Sequence, residues 1–494
     1  MFNQEMAHRA LILPDQMAKV DARTIAAGTP GITLMERAGA AVTRVIRGRW
    51  HRRPVRVLCG PGQNGGDGWV IARLLREAGW PVEVYSDWPA DKLSGDAQIA
   101  AQRCAWPPRP LGEAADPFIS PPLVVDALFG AGLSRPLKAS LADLLEAIAR
   151  PGVPVVAVDL PSGLDGATGE ARGAALNADA TVTFERLKPG HVLSAGPALC
   201  GALFVAPIGL EVADADAVAR HNHPSLWWAE VPLPPTAAHK YARGGVLVLS
   251  GPRHQGGAAR LTAYAAARAG AGAVTLAATG AALDIHAAHL DAPMVARADD
   301  PAALAALANS KRTAAVVVGP GLEGGEAAQE AVLALLSVGK PAVVDASALT
   351  MFETEPDRLV DALPPKAVLT PHEGEFRRLF PDVEGDPLTR AGAAATRCGR
   401  TVLLKGASTV IATPGEVPVI NTHASPYLAT AGSGDTLAGI IAGLMAQEVG
   451  AHIAAAAGAW IHGDAAQRLG PGLTADDLAG AVPEVLAGLA DQAE

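Results

Sequence analysis

Val55-Arg56-Val57-Leu58-Cys59 runs without a break into Gly60-Pro61-Gly62-Gln63-Asn64-Gly65-Gly66-Asp67-Gly68, and a helical period follows as far as Ala78. A short apolar run, a glycine-rich turn and a helix start together open a parallel α/β unit. Small residues in such a turn let a ligand phosphate approach the main chain, where free amides and the helix dipole favour an anion. The same glycines also suit a tight turn that needs backbone freedom, so both readings stand at this point. The loop has neither G-x-G-x-x-G spacing nor the Lys-Ser/Thr of a Walker A sequence.

Further apolar runs lie at Val82–Tyr85, Leu123–Leu128, Val153–Asp159, Ala180–Phe184 and Leu203–Val205, with helical stretches such as Ser140–Ala149 between them. Two of these runs end in an acid beside glycine: Asp126 before Phe129-Gly130-Ala131-Gly132-Leu133-Ser134-Arg135, and Asp159 before Leu160-Pro161-Ser162-Gly163. One aspartate after a strand is commonly a helix cap. Three glycine-flanked strand ends in one domain can instead converge on one crevice, because open parallel sheets bind ligands beyond their carboxyl ends.

The alternation fails from about Glu211 to Tyr241, where Trp227, Trp228 and Val231-Pro232-Leu233-Pro234-Pro235 occur. Proline at that density opposes helix and central strand alike. A fresh α/β series begins at Gly245–Ser250 and continues near Ala273–Leu276, Ala314–Val318, Pro341–Asp345, Ala367–Thr370 and Val402–Leu404, with helices from about Asp435. The expectation is an α/β protein of two three-layer domains: 1–220, a linker at 221–240 with the two tryptophans covering the junction, and 241–494.

The second domain has its own glycine-rich helix start, Ala429-Thr430-Ala431-Gly432-Ser433-Gly434-Asp435-Thr436. Amides there can cradle a phosphate being moved while Asp435 takes the proton of an attacking hydroxyl, although a capped glycine turn has the same residues. Val402-Leu403-Leu404-Lys405-Gly406-Ala407-Ser408-Thr409-Val410 reads as strand, basic turn, strand. Its lysine is either an exposed hairpin residue or a contact to nucleotide phosphate. Thr370-Pro371-His372-Glu373-Gly374-Glu375 sets a histidine and two acids past another strand, where a ring often caps main-chain groups.

Composition narrows the function. The chain has 494 residues, 40 Lys plus Arg against 50 Asp plus Glu, and a net charge of -10, which argues against nucleic-acid or anionic-lipid partners. Cys59, Cys104, Cys200 and Cys398 lie far apart, with neither metal-ligand spacing nor disulfide density. No basic-then-apolar leader is present, and the apolar runs Ala271–Leu283 and Leu437–Ala446 are too short to span a bilayer. The expectation is a cytoplasmic protein. His286 and His289, like His221 and His223, read as solvated.

Gly60–Gly68, Asp126–Arg135 and Val158-Asp159-Leu160-Pro161-Ser162-Gly163-Leu164-Asp165 together resemble the epimerase domain of NAD(P)H-hydrate repair enzymes, over roughly residues 10–215. The resemblance implies a Rossmann-like domain that interconverts the R and S forms of NADHX and NADPHX, in which water has added to the nicotinamide ring. It implies potassium ligands at Asn64, Asp126 and Ser162. It also implies substrate contacts at Gln63, Asn64, Gly65, Gly66 and Asp67, at Gly130, Ala131, Gly132, Leu133, Ser134, Arg135 and Pro136, and at Asp159. Epimerising the hydroxyl-bearing carbon means losing and regaining water, which calls for an acid/base group beside it; Asp159 is the first choice and Asp67 the second. Gln63 and Ala131 stand where the family usually has Asn and Thr.

Residues 236–490 are similar to the ADP-dependent NAD(P)H-hydrate dehydratases of the ribokinase-like superfamily, through Gly-Ser-Gly-Asp, Lys-Gly-Ala-Ser-Thr and Thr-Pro-His-x-Gly-Glu. That similarity implies contacts to the hydrated nucleotide from Ala258, Gly321, His372 and Asp435. It implies contacts to the adenine nucleotide from Lys405, Gly406, Ala407, Ser408, Thr409 and Gly434. Asp435 would activate the C6 hydroxyl of the S form for phosphorylation by ADP, with magnesium on the phosphates, and AMP and phosphate would leave. Glu373 and Gly256 replace prolines common in the family. Family habit also implies a homo-oligomer. Two other readings remain at this point: a vitamin or sugar kinase with an N-terminal regulatory domain, and a first domain that only binds.

Overall fold

The computed structural model describes residues 9–133, 135–232 and 240–493. The chain divides into two compact units, Ala7–Ala219 and Arg220–Glu494.

The first unit is built on a six-stranded parallel sheet in the order Val82–Tyr85, Val55–Cys59, Leu123–Ala127, Val155–Val158, Ala180–Phe184, Ala202–Ala206. Strands Val55–Cys59, Leu123–Ala127 and Val155–Val158 are buried along their length, which explains their unbroken apolar sequence. The first strand in sequence has the second on one side and the third on the other. Strand order therefore reverses there, and the loops leaving Cys59 and Ala127 diverge to open a crevice.

The second unit repeats that logic. Gly245–Leu249 lies between Ala273–Ala278 and Ala315–Val318, and the parallel series continues through Ala342–Val344, Ala367–Leu369 and Thr401–Leu404. Thr409–Ala412 and Val419–Asn421 extend the sheet antiparallel. Met294–Arg297 forms the opposite edge beside Ala273–Ala278.

Most of the segment expected as linker belongs to this second unit. Arg220 and His221 pair with Val419 and Ile420. His221 bonds Thr422 Oγ1 at 2.8 Å, and His223 caps the short turn Pro224–Leu226, so neither is a loose surface histidine. Trp227 and Trp228 are buried in the second unit's core rather than spread over a junction. Trp227 donates its indole N–H to Asn222 Oδ1, and Asn222 in turn donates to the Ala456 carbonyl. Pro224 fits because it opens a 3-10 turn, where its missing main-chain donor is not needed. Residues 233–239 of the expected linker lie outside the described residues. His286 is also corrected: it is fully buried, its Nε2 2.7 Å from Ser250 Oγ.

With so few aromatics, the second core is packed mainly by small residues. Helix Ser433–Ala446 lies so close to helix Gly256–Arg268 that a Cβ on Gly439 would collide with the Thr262 carbonyl, and would sit 2.8 Å from Ala265 Cβ. That close approach also fixes the start of helix Ser433–Ala446, which carries Asp435. Among the described residues no helix is long and apolar enough to cross a membrane.

Replacing Gly439 by Val should overpack this seam and cost about 1–3 kcal/mol or more in the second unit's unfolding transition. Urea denaturation followed by Trp227, Trp228 and Trp460 fluorescence checks it; an unchanged midpoint would show that the seam relaxes.

Candidate active sites

Three strand ends of the first unit are tied together by hydrogen bonds, Gly60 N after Val55–Cys59 donating to the Ala127 carbonyl at 3.0 Å. Buried Asp126, at the end of Leu123–Ala127, accepts from Ser162 N at 2.7 Å and Ser162 Oγ at 2.6 Å. Ser162 Oγ accepts from Phe129 N at 3.0 Å. Asp159 Oδ2 accepts from Ala131 N at 2.9 Å, which clamps the Gly130–Gly132 turn over the end of Val155–Val158. A Cβ on Gly130 would stand 3.0 Å from Asp159 Oδ2 and 3.1 Å from Asn64 Oδ1, so a larger residue would press on both side chains where these loops close up.

They enclose a cavity of about 1190 Å³, above the roughly 300–1,000 Å³ of typical small-ligand pockets and roomy enough for a dinucleotide. Gln63, Asn64, Asp67, Gly130 to Leu133, Arg135, Pro136 and Asp159 all line it. Gly65 and Gly66 do not: a Cβ on Gly65 would strike the Gly60 carbonyl, and one on Gly66 would meet Met35, so these two allow close packing instead. Ser134 lies outside the described residues.

The charges on this cavity are unevenly wired. Asp159 Oδ1 accepts from Lys188 Nζ at 2.6 Å and from Thr183 Oγ1 at 2.8 Å, and the Lys188 side chain is almost wholly buried. Asp159 also adopts a left-handed backbone, φ 65°, with its carbonyl accepting from His191 Nε2 at 2.7 Å. Burial alone would raise the Asp159 pKa, but the Lys188 charge and the hydrogen bonds hold it down at about 2. Burial pushes Asp67 well above the usual carboxylate range, helped by Asp159 and Asp21. Asp67 is therefore the carboxyl whose surroundings favour the protonated form, whereas Asp159 is held as an anion.

The second site gathers at the switch point of the second sheet. Thr262 Oγ1 donates to both the Ala258 and Asp435 carbonyls at 3.0 Å, joining the two helix starts. Gly321, at φ 68°, sits with its Cβ position 3.2 Å from Ala258 Cβ. Lys405 N donates to the Pro371 carbonyl at 2.8 Å, so Lys405 and His372 lie side by side. A Cβ on Gly434 would be 3.4 Å from Lys405 Nζ, which brings that ammonium to the first turn of helix Ser433–Ala446. Gly406, Ala407 and Ser408 form the hairpin turn that follows Lys405, and Thr409 opens the returning strand. His372 Nδ1 accepts from Gly374 N at 2.9 Å, the capping role its sequence also allowed.

Lys405 Nζ bonds Asp345 Oδ1 at 2.8 Å and lies 3.8 Å from Glu375 Oε2. Burial, then Asp345, pushes Asp435 up to about 7, with Lys405 opposing. Asp435 thus becomes a base close to neutral pH, as a proton acceptor for a hydroxyl should be.

Residues 246–483 match the family model described as NAD(P)H-hydrate dehydratase, and residues 31–190 match that of the YjeF-related protein N-terminus. The bifunctional NAD(P)H-hydrate repair enzyme of Coxiella burnetii is 36% identical, covering 94% of this chain and 96% of that one. The enzyme of the same name from Escherichia coli K12 is 34% identical, covering 92% and 90%. The chain belongs to the bifunctional NAD(P)H-hydrate repair enzyme family. A solved ADP/ATP-dependent NAD(P)H-hydrate dehydratase from Bacillus subtilis, co-crystallised with ATP/Mg2+, is 29% identical over 52% of this chain and 94% of that one, with a TM-score of 0.45.

For a repair-family member, the residues missed from sequence are Lys188, Asp21, Asp345 and Glu375. Asp345 closes a strand-end run as Asp126 and Asp159 do, so its signal was present. Glu375 was visible as the N3 partner in a capping box with His372. Lys188, in Phe184-Glu185-Arg186-Leu187-Lys188, has no local mark.

Replacing Lys188 by Met strands the Asp159 carboxylate without its cation. At neutral pH this should cost the first unit about 3–5 kcal/mol. In the wild type, the depressed Asp159 pKa contributes stability that is present above the ordinary carboxylate pKa and lost as pH falls towards 2. In the variant a bare, buried Asp159 takes up a proton more readily, so the deficit shrinks in mild acid. Denaturation midpoints at neutral and mildly acidic pH test this; a deficit constant with pH refutes it.

Proposed function

We propose that this chain repairs hydrated nicotinamide nucleotides at two sites, the first unit interconverting R- and S-NAD(P)HX and the second dehydrating the S form at the expense of ADP. The observation that carries the second half is the meeting of Asp435, Lys405 and Asp345 at the start of helix Ser433–Ala446.

In the second unit, the free amides of Gly432–Asp435 and the Lys405 ammonium suit the transferring phosphate of ADP. Asp435 takes the proton of the C6 hydroxyl. Its oxygen bonds to the β-phosphorus, the bond to the bridging oxygen breaks, and AMP leaves with that electron pair. The C6–O bond then breaks towards phosphate, assisted by the ring nitrogen lone pair, and loss of a proton from C5 restores the dihydropyridine. Phosphorylation thus converts a poor leaving group into a good one. Ala258 and Gly321 offer small surfaces beside this point, and His372 Nε2 lies 3.4 Å from Glu375 Oε1.

Asp345, Glu375 and Asp435 place three carboxylates about one ammonium, an excess of negative charge suited to Mg²⁺ on the ADP phosphates. No set of three such side chains among the described residues is tight enough to hold a metal alone, as is usual for an ion that keeps water and phosphate oxygens. When bound, Mg²⁺ supplies charge neutralisation to the phosphates.

In the first unit, Asp67 protonates the departing C6 hydroxyl and the ring nitrogen stabilises the cation that remains. The fixed Asp159 anion supplies a negative field. Asn64, Asp126 and Ser162 fit potassium. Asp126 is buried without a cationic partner, burial raising its pKa to about 6 despite its Ser162 bonds, and Asn64 offers its Oδ1 as a further oxygen. When bound, potassium would balance Asp126 and hold the strand-end loops together.

The test follows reduced-nicotinamide absorbance on mixed NADHX epimers with Mg²⁺, K⁺ and ADP. Asp435→Asn should lower its return by about 100-fold or more while epimer exchange continues. Asp67→Asn should leave the S form consumed and the R form accumulating. The wild-type dehydration rate should rise through about pH 7 as Asp435 loses its proton. If both variants lose the same step, the two-site division is wrong.

A further inference from the structure

Asp21 lies on helix Pro14–Ala26, half-buried, on the wall of the cavity that Asp67 and Asp159 also line. Asp159 is consumed by Lys188, Thr183 and the Ala131 amide. Among the described residues, neither Asp21 nor Asp67 has a hydrogen-bond or ion-pair partner for its carboxyl, so both are free to meet a ligand. They come from separate helices, Pro14–Ala26 and Gln63–Glu77.

Epimerisation by loss and return of water removes oxygen from one face of C6 and brings it to the other. A single carboxyl fixed on one side serves only one of those events. Two carboxyls of unequal proton affinity, delivered by different elements, serve both.

We propose that Asp21 is the second proton-handling group of the epimerase, the base that receives the proton of the incoming water while Asp67 protonates the departing hydroxyl. The inference rests on the epimerase reading above and names a further residue for it. The proton of Asp67 passes to the C6 oxygen as the C6–O bond breaks, and water leaves. The ring nitrogen lone pair forms a C6–N double bond. A water oxygen then bonds C6 from the other face, the double-bond pair returns to nitrogen, and the water's extra proton goes to Asp21. One water leaves and one enters; transfer of the proton from Asp21 back to Asp67 through solvent closes the cycle with no oxidant or reductant.

The electrostatics agree in direction. Burial raises Asp21 to about 6, opposed by Lys188 and reinforced by Asp159, so Asp21 is largely ionised at neutral pH, while burial, Asp159 and Asp21 all favour the protonated form of Asp67. The remaining ionisable groups on this wall are Asp15 on the same helix, Asp87, Arg135 and Lys138.

The full-length protein is assayed for R-to-S exchange across pH, with the first unit's urea-denaturation midpoint as the measure of its intact folding. Asp21→Asn should lower the exchange kcat about 100-fold or more, leave KM within about threefold, and erase the rise in kcat/KM centred near pH 6. Asp21→Glu, which keeps a carboxyl, should recover at least about a tenth of wild-type exchange. Retained kcat, a change in KM alone, an unaltered pH limb, or a Glu variant that is folded yet as slow as Asn each overturns the proposal. If Asn unfolds the first unit, the Glu variant decides alone by rate and pH limb. A wild type that exchanges no epimers instead sinks the epimerase reading.

Discussion

Parallel strands deliver their carboxyl-terminal side chains to one edge of the sheet, and in this chain many of those side chains are aspartates. Repulsion among them is the constraint around which both units are organised, and each meets it with one enclosed lysine. In the first unit Lys188 serves Asp159, with Asp21 and Asp67 nearby. In the second, Lys405 serves Asp345, with Glu375 and Asp435 nearby. Without that ammonium each cluster would have to protonate or come apart, and the loops that shape the ligand sites would lose their anchor.

The elements of the fold were legible wherever a strand was buried on both faces. Val55–Cys59 and Ala180–Phe184 were read to the residue, because a continuous apolar run closed by glycine or an acid has few other uses. Val82–Tyr85 was too, although it is an edge strand with Glu83 exposed. Other edge and short strands were not. Met294–Arg297 carries one arginine, is largely exposed, and gains its strand character only from its neighbour Ala273–Ala278. Val419–Asn421 and Ala219–His221 are three residues each, shorter than any window of periodicity. The proline-rich stretch misled for a different reason. Its apolar payload is buried through contacts no local pattern shows: Trp227 packs on Trp460, far away in sequence, and Trp228 packs edge-on against Trp227.

The sites were legible as anion cradles and acids, since glycine turns at helix starts leave a local signature. The counter-charges left none. Lys188 reaches Asp159 across 29 residues and Lys405 reaches Asp345 across 60, so the sequence shows the carboxylates without showing which of them is neutralised. Asp159 and Asp67 both stand beside glycine turns, so their motifs do not show that Lys188 neutralises the one and not the other. Gly65 and Gly66 show the converse: glycines within a ligand loop that serve the close packing of that loop.

The two clusters use the same parts, and the partner chosen by the lysine sets the chemistry. In the first unit the lysine bonds the aspartate nearest the glycine turn, which holds Asp159 as an anion, while burial, Asp159 and Asp21 all push Asp67 towards its protonated form. In the second its short bond goes instead to Asp345, which no proton transfer requires, and Asp435 feels Lys405 only at longer range. Burial and the neighbouring acid then lift Asp435 to about 7, where a carboxyl can accept a hydroxyl proton and release it at the same pH. Had Lys405 bonded Asp435 directly, that group would be an anion as weakly basic as Asp159, and unsuited to activating an alcohol. A displacement of one ammonium by a few ångströms thus separates a field-supplying carboxylate from a proton-transferring one.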